Sequence, residues 1–113
     1  MDYREYRKKY GSNRKESKYR NQWIEVDGIN FQSKKEAEYY IQLKLQQAAG
    51  EVAYFLRQVP FHLPGNIKYF CDFMVVMRTG QIRFIDVKGV ETHVFKMKKK
   101  MVEYHYPVKI EIV

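Results

Sequence analysis

The stretch from Lys68 to Gly89, KYFCDFMVVMRTGQIRFIDVKG, constrains the fold more than any other. Two strongly β-forming runs, Tyr69 to Met77 and Ile82 to Val87, flank a short polar turn containing Gly80, which is the pattern of a β-hairpin. Both runs are apolar on both faces, so the strands are expected inside a sheet and not at its edge. Asp72, Asp86 and Lys88 interrupt them. A carboxylate in such a run is costly to bury unless it is paired, hydrogen-bonded or bound to a metal.

Turn chemistry supplies a register. A three-residue loop of Arg78, Thr79 and Gly80 puts glycine at the left-handed position that closes a type I turn with a G1 bulge. Met77 then pairs with Gln81, and counting back sets Asp72 opposite Asp86. Opposed residues share a face with Cβ atoms about 5 Å apart, and Lys88, two residues beyond Asp86, lies on that face too. A two-residue loop of Thr79 and Gly80 would instead set Asp72 opposite Val87 and send the acids to opposite faces. Loop length decides whether the hairpin carries a site.

The rest of the chain supplies one small domain around this hairpin. Its 113 residues, 45% hydrophobic, allow a single modest core. The net charge of +8 implies a polyanionic partner, nucleic acid before membrane, since no long apolar run accompanies it. Residues 1–22 carry eight Lys or Arg against three acids. Tyr3, Tyr6, Tyr10 and Tyr19 interleave with those bases, so this segment is expected to be a flexible basic arm, either simply solvated or following phosphates and stacking on bases. Cys71 is the single cysteine and cannot form an internal disulfide, and the N-terminus lacks an apolar signal core, so an intracellular, cytoplasmic location is expected. His62, His93 and His105 are widely spaced and lack cysteine partners, which argues against a structural zinc.

Trp23 to Phe31 alternates around Asp27-Gly28 and reads as a small hairpin. Ser33 and Glu36 form a capping box for a helix whose stripe is Ala37, Tyr40, Ile41, Lys44, Leu45 and Ala48, ended by Gly50. Glu36 and Glu38 flank that stripe on opposite sides, and periodicity does not choose between them as site residues. Glu51 to Leu63 is a strand, with Pro60 marking an edge, a bulge or its end, and Pro64-Gly65-Asn66 is a turn. Thr92 caps a second helix with Val94, Met97, Met101 and Val102 as its buried stripe and Lys96, Lys98, Lys99 and Lys100 as a basic cluster. Pro107 ends it, and Val108 to Val113 closes the chain as a strand. The expected class is α/β: a small mixed β-sheet flanked by helices, in the order α-β-β-β-α-β.

Two opposed carboxylates repel, so one takes up a proton unless a cation lies between them. Oxygen-only donors suit magnesium, or manganese in its place, held through one or two carboxylates with water and substrate phosphate. A nearby lysine can orient the attacking water or support the charge that develops on the phosphoryl oxygens. These residue types fit phosphodiester hydrolysis.

The arrangement resembles the PD-(D/E)XK nuclease superfamily, and FQSKKEAEYY (Phe31 to Tyr40), RQVPF (Arg57 to Phe61), YFCDF (Tyr69 to Phe73) and FIDVKG (Phe84 to Gly89) are similar to small phage-encoded nucleases related to Vsr-like enzymes and Holliday junction resolvases. The resemblance runs from Phe31 to the C-terminus. It implies a restriction-endonuclease-like core over a single nuclease domain, residues 23–113, with Asp72, Asp86 and Glu36 as metal ligands and Lys88 as the catalytic lysine. It also implies Gln58 as a residue holding water or phosphate, and Lys98 as a substrate contact. Cys71 stands where the eponymous proline would be, and Asp86 is the shorter of the two permitted acids. The implied activity is magnesium-dependent cleavage of duplex or branched DNA, in a host cytoplasm if the chain is phage-encoded; junction cutting would add a homodimer, because it needs two symmetric sites. Two other readings stand beside it: a non-catalytic nucleic-acid-binding module that keeps the fold, and an accessory subunit active only with a partner.

Overall fold

Gly80 fixes the centre of the molecule. In the computed structural model, which describes residues 23–113, its φ is +96°, its N–H donates to the Met77 carbonyl at 2.9 Å, and Met77 N–H donates to the Gln81 carbonyl at 2.8 Å. The loop is therefore the three-residue one. The strands it joins, β4 (Ile67–Met77) and β5 (Ile82–Asp86), pair antiparallel from Val76 opposite Ile82 to Phe73 opposite Ile85. The same register continued by one residue sets Asp72 opposite Asp86. The basic arm expected over residues 1–22 lies outside the described residues.

β3 (Val52–Leu63) and β6 (Ile110–Ile112) complete a sheet in the order β3-β4-β5-β6, so the apolar β4 and β5 are its inner strands. Pro60 sits within β3, where an edge strand can spare the N–H it lacks. The turn at 64–66 has Gly65 and Asn66 in the left-handed region, at φ +80° and +59°. β6 runs parallel to β5, as a crossover through a helix requires. That helix is α2 (His93–His105), capped by Thr92, whose hydroxyl accepts from Phe95 N–H at 3.1 Å.

Ahead of the sheet, β1 (Ile24–Val26) and β2 (Ile29–Phe31) form the small hairpin, with Asp27 and Gly28 both at positive φ in its two-residue turn. α1 (Lys34–Ala48) follows. Its C-terminus is a Schellman motif: Gly50 sits at φ +85°, its N–H donates to Gln47 O, and Glu51 N–H donates to Gln46 O. The order is thus a hairpin followed by α-β-β-β-α-β, a mixed α/β fold with one small sheet and two helices. No helix among the described residues is long and apolar enough to cross a membrane.

Two apolar clusters sit against the sheet. α1 buries Ala37, Tyr40, Ile41 and Leu43 with Phe73, Val75, Ile85 and Val87; α2 buries Phe95 and Val102 with Phe61, Tyr69, Cys71 and Ile110. Both stripes differ from the periodic expectation. In α1 Leu43 is buried, whereas Lys44 and Ala48 are exposed and Leu45 is only half-covered. In α2 Phe95 replaces Val94 and Met97, which are 54% and 47% exposed. A period of 3.6 defines a stripe but not which part of it the sheet reaches, and the larger Phe95 buries more area than Val94.

Gly80 has open space where a Cβ would stand, so Gly80→Ala isolates the backbone cost. It is expected to lower unfolding stability by roughly 1–2 kcal/mol in urea titrations, the cost of a left-handed conformation for an L-residue; no change would contradict the loop geometry.

Candidate functional site

The end of β5 is held from three sides. Val113 N–H donates to the Asp86 carbonyl at 3.0 Å and Lys88 N–H donates to the Val113 carbonyl at 3.2 Å, so the end of the chain clamps Asp86 to Lys88. From the other side the Asp72 carboxylate takes over the role of a ladder bond: its Oδ2 accepts from Val87 N–H at 2.9 Å. Lys35, in the first turn of α1, donates through Nζ to the Lys88 carbonyl at 2.9 Å. The segment bearing Asp86 and Lys88 is thereby tied to β4, β6 and α1.

Asp86 is fully buried and Asp72 nearly so, at 0% and 8% exposure. Asp86 Oδ2 accepts from the Tyr69 hydroxyl. Its Oδ1 lies 3.5 Å from Lys88 Nζ, at the limit of hydrogen bonding, and has no hydrogen-bond partner. Burial pushes the Asp86 carboxyl above the usual range, and the Lys88 ammonium opposes that rise. Lys88 Nζ in turn lies 4.7 Å from the centre of the Phe95 ring, so α2 helps to place it.

Glu36 joins from α1. Ser33 Oγ accepts from Glu36 N–H at 3.3 Å, as the capping box predicts, but the Glu36 carboxylate turns towards β3. Its Oε2 lies 3.5 Å from Gln58 Nε2 and 3.9 Å from Arg57. Burial first, then the charge of Asp72, push the Glu36 carboxyl up to about 7; Arg57 opposes this, Asp86 adds to it and Lys88 opposes it. Five charged groups therefore share one electrostatic neighbourhood. Glu38, the alternative acid, instead pairs with Lys34 at 3.9 Å across one helical turn.

Gln58 bridges the carboxylates, donating through Nε2 to Asp72 Oδ1 at 3.2 Å as well as reaching Glu36. Its backbone is unusual. Asp27, Gln58 and Asn66 are the non-glycine residues at positive φ among those described; Asp27 and Asn66 occupy turns, whereas Gln58, at φ +52°, lies inside β3. The ladder pairs Arg57 with Phe73 and Val59 with Cys71, leaving Gln58 at the level of Asp72. A left-handed residue inside a strand costs on the order of 1–3 kcal/mol, and here it aims an amide between two acids.

The structure thus brings together Glu36, Gln58, Asp72, Asp86 and Lys88. Lys98 is different: it lies half-covered on α2, and no hydrogen bond or ion pair among the described residues joins it to these groups. Sequence reasoning passed over Tyr69 and Arg57. A tyrosine buried in a strand must find a partner for its hydroxyl, which was the available signal for Tyr69; Arg57 neighbours Gln58 and carried none of its own. Cys71 is buried, and burial pushes its thiol up to about 11.

The donor set can be tested against a divalent cation. All donors are hard oxygens, and the buried Asp86 Oδ1 lacks a hydrogen-bond partner, which a cation would supply. Among the described residues no three His, Cys, Asp or Glu are gathered into a ready metal cage. The fit is to an ion held by one or two carboxylates and completed by water and a ligand phosphate, the usual habit of magnesium.

Residues 16–113 match the family described as a protein of unknown function (DUF1064). Among curated proteins and among solved structures, none matches.

Two outcomes test this geometry. Gln58→Gly and Gln58→Ala lose the same amide, but only glycine relieves φ +52°. Gly is therefore expected to be the more stable of the two by about 1 kcal/mol in thermal or urea unfolding, the reverse of the usual order in a strand. The Cys71 thiol is expected to resist iodoacetamide at pH 8 in the folded protein and to react in denaturant, with mass spectrometry as readout; rapid labelling of native protein would contradict its burial.

Proposed function

We propose that this chain, which belongs to the DUF1064 family, is a divalent-metal-dependent endonuclease that hydrolyses DNA phosphodiester bonds. The observation that carries this reading is the buried Asp86, with an oxygen lacking a hydrogen-bond partner beside the Lys88 ammonium, set in register with Asp72. A structural role alone gives little reason for it, because a well-packed apolar side chain at such a position is often as stable or more so.

Asp86 and Asp72 would hold the ion, with Glu36, the third expected acid, reaching it through water. Bound there, a magnesium or manganese ion would supply positive charge that polarises the phosphoryl group and makes water more acidic. The protein's own groups have distinct tasks. Lys88, 31% exposed in its side chain, presents an ammonium to the phosphate and offsets charge that develops on its oxygens. Gln58 bridges the Glu36 and Asp72 carboxylates and can orient a water through the rest of its amide. Tyr69 fixes Asp86 Oδ2, so Oδ1, which faces the Lys88 ammonium at 3.5 Å, would be the atom offered to the ion. The formal charge of +8 favours approach to a polyanion. Restriction-endonuclease-like architecture and a preference for branched DNA belong to the same proposal, as does a homodimer if junctions are cut.

A panel of duplex, single-stranded, flapped and four-way-junction DNA with magnesium or manganese tests it. Cleavage of at least one form is expected, falling on the order of 100-fold in Asp86→Asn and in Lys88→Met, while affinity for DNA in EDTA changes little in Asp86→Asn. Cleavage that survives Asp86→Asn would overturn the site. No cleavage of any form by the native protein would instead favour a nucleic-acid-binding module without catalysis.

A further inference from the structure

A groove of about 270 Å³ opens beside Glu36, away from the Asp86 side of the cluster. It is lined by Trp23 just before β1, Asn30 of β2, Gln32 at the entry to α1, and Arg57 and Gln58 of β3. We propose that this groove is a pocket for one unpaired nucleobase, so that the substrate is DNA with an unpaired nucleotide next to the phosphate to be cut. The inference rests on the nuclease reading for the cut, but not for the binding.

Size, chemistry and position all point to a base. Drug-sized ligands occupy cavities of about 300–1,000 Å³, so 270 Å³ suits a single planar ring system. Asn30 and Gln32 each offer an amide with donors and an acceptor, the equipment that reads base edges, and Gln58, whose Nε2 is engaged by Asp72 and Glu36, adds an amide oxygen. Trp23 is 41% exposed and supplies an aromatic surface on which any base can stack. Arg57 is held over the Phe31 ring, 4.7 Å from its centre, which orders the cationic wall before a ligand arrives.

Position links the groove to the carboxylates: Glu36 and Gln58 line it, and Gln58 also bonds Asp72, so a ring seated there would bring its own backbone phosphate towards the acids. In an intact duplex that base would have to leave the stack, a cost that is least where it is already unpaired. The pocket therefore selects for bulges, flaps or single strands through base occupancy, independently of charge.

Trp23 is the sole tryptophan in the chain, so its emission reports occupancy of the groove directly. The full-length protein is titrated in EDTA with two duplexes that differ at a single bulged nucleotide, adenine-bearing in one and abasic in the other. The phosphate backbone is the same in both. The adenine bulge is expected to quench Trp23 and to bind about 5- to 10-fold more tightly, as stacking of one base allows. Asn30→Ala with Gln32→Ala is expected to bring its affinity down to that of the abasic duplex. Equal affinity and equal quenching for the two duplexes with the native protein would overturn the pocket, whether or not DNA is cleaved with magnesium. Base-dependent quenching in a protein that never cleaves would support the pocket and overturn only the nuclease.

Discussion

The Asp86 carboxylate has no exposed surface, and the arrangement of the surrounding sheet follows from that. Desolvating an ion costs several kcal/mol even after relaxation, so each neighbour can be read by how much of the charge it offsets. Tyr69 gives one oxygen a hydrogen bond, and Lys88 gives the other an ammonium at 3.5 Å. Neither leaves the second oxygen fully satisfied. The backbone on both sides is over-determined in compensation: Val113 clamps Asp86 and Lys88, Asp72 grips Val87, and Lys35 grips the Lys88 carbonyl. The rigid surroundings hold the charge in place because its own contacts do not.

Other local preferences are violated within one side chain's reach. Gln58 takes a left-handed conformation inside a strand, and Glu36 turns away from the helix N-terminus that would favour its charge. A purely structural account covers part of this. Asp72 Oδ2 completes the hydrogen bonding of Val87, and Ser33 caps α1 whatever Glu36 does. It does not cover Gln58, whose strained backbone serves to place an amide between two acids that a smaller or apolar residue would leave further relaxed. Conflicts between local propensity and fold tend to gather where a structure keeps a function, and here they gather around one group of carboxylates.

What the sequence made legible were features with a single local cause. Gly80 fixes a loop, the loop fixes a register, and the register sets Asp72 opposite Asp86 because side chains alternate with period two. Ser33, Thr92, Gly50 and Asp27-Gly28 each mark a boundary through backbone chemistry, and each holds. Features that depend on contacts between elements were less legible. Helical period gave α2 an apolar stripe through Val94 and Met97, but the helix is rotated so that Phe95 packs against Tyr69. Leu43 is buried for the same reason, against a sheet whose position relative to α1 no local pattern specifies. The inward turn of Glu36 rather than Glu38 depends on where β3 passes, and the left-handed backbone at Gln58 leaves no trace in the sequence pattern.

The electrostatics of Glu36 decide how this cluster responds to a ligand. The first turn of a helix favours a carboxylate by about 0.3–1 kcal/mol, and Arg57 and Lys88 favour it too, yet the Glu36 carboxyl is pushed up to about 7. Burial and the repulsion from Asp72 and Asp86 therefore outweigh both cations, and the carboxylate has turned away from the helix end that would have helped them. A proton on Glu36 is one way to relieve that excess of negative charge, and a divalent cation among the carboxylates is another. If the proposed divalent cation binds there, it and that proton would offset the same negative charge, beside an Arg57 guanidinium held 4.7 Å from the centre of the Phe31 ring.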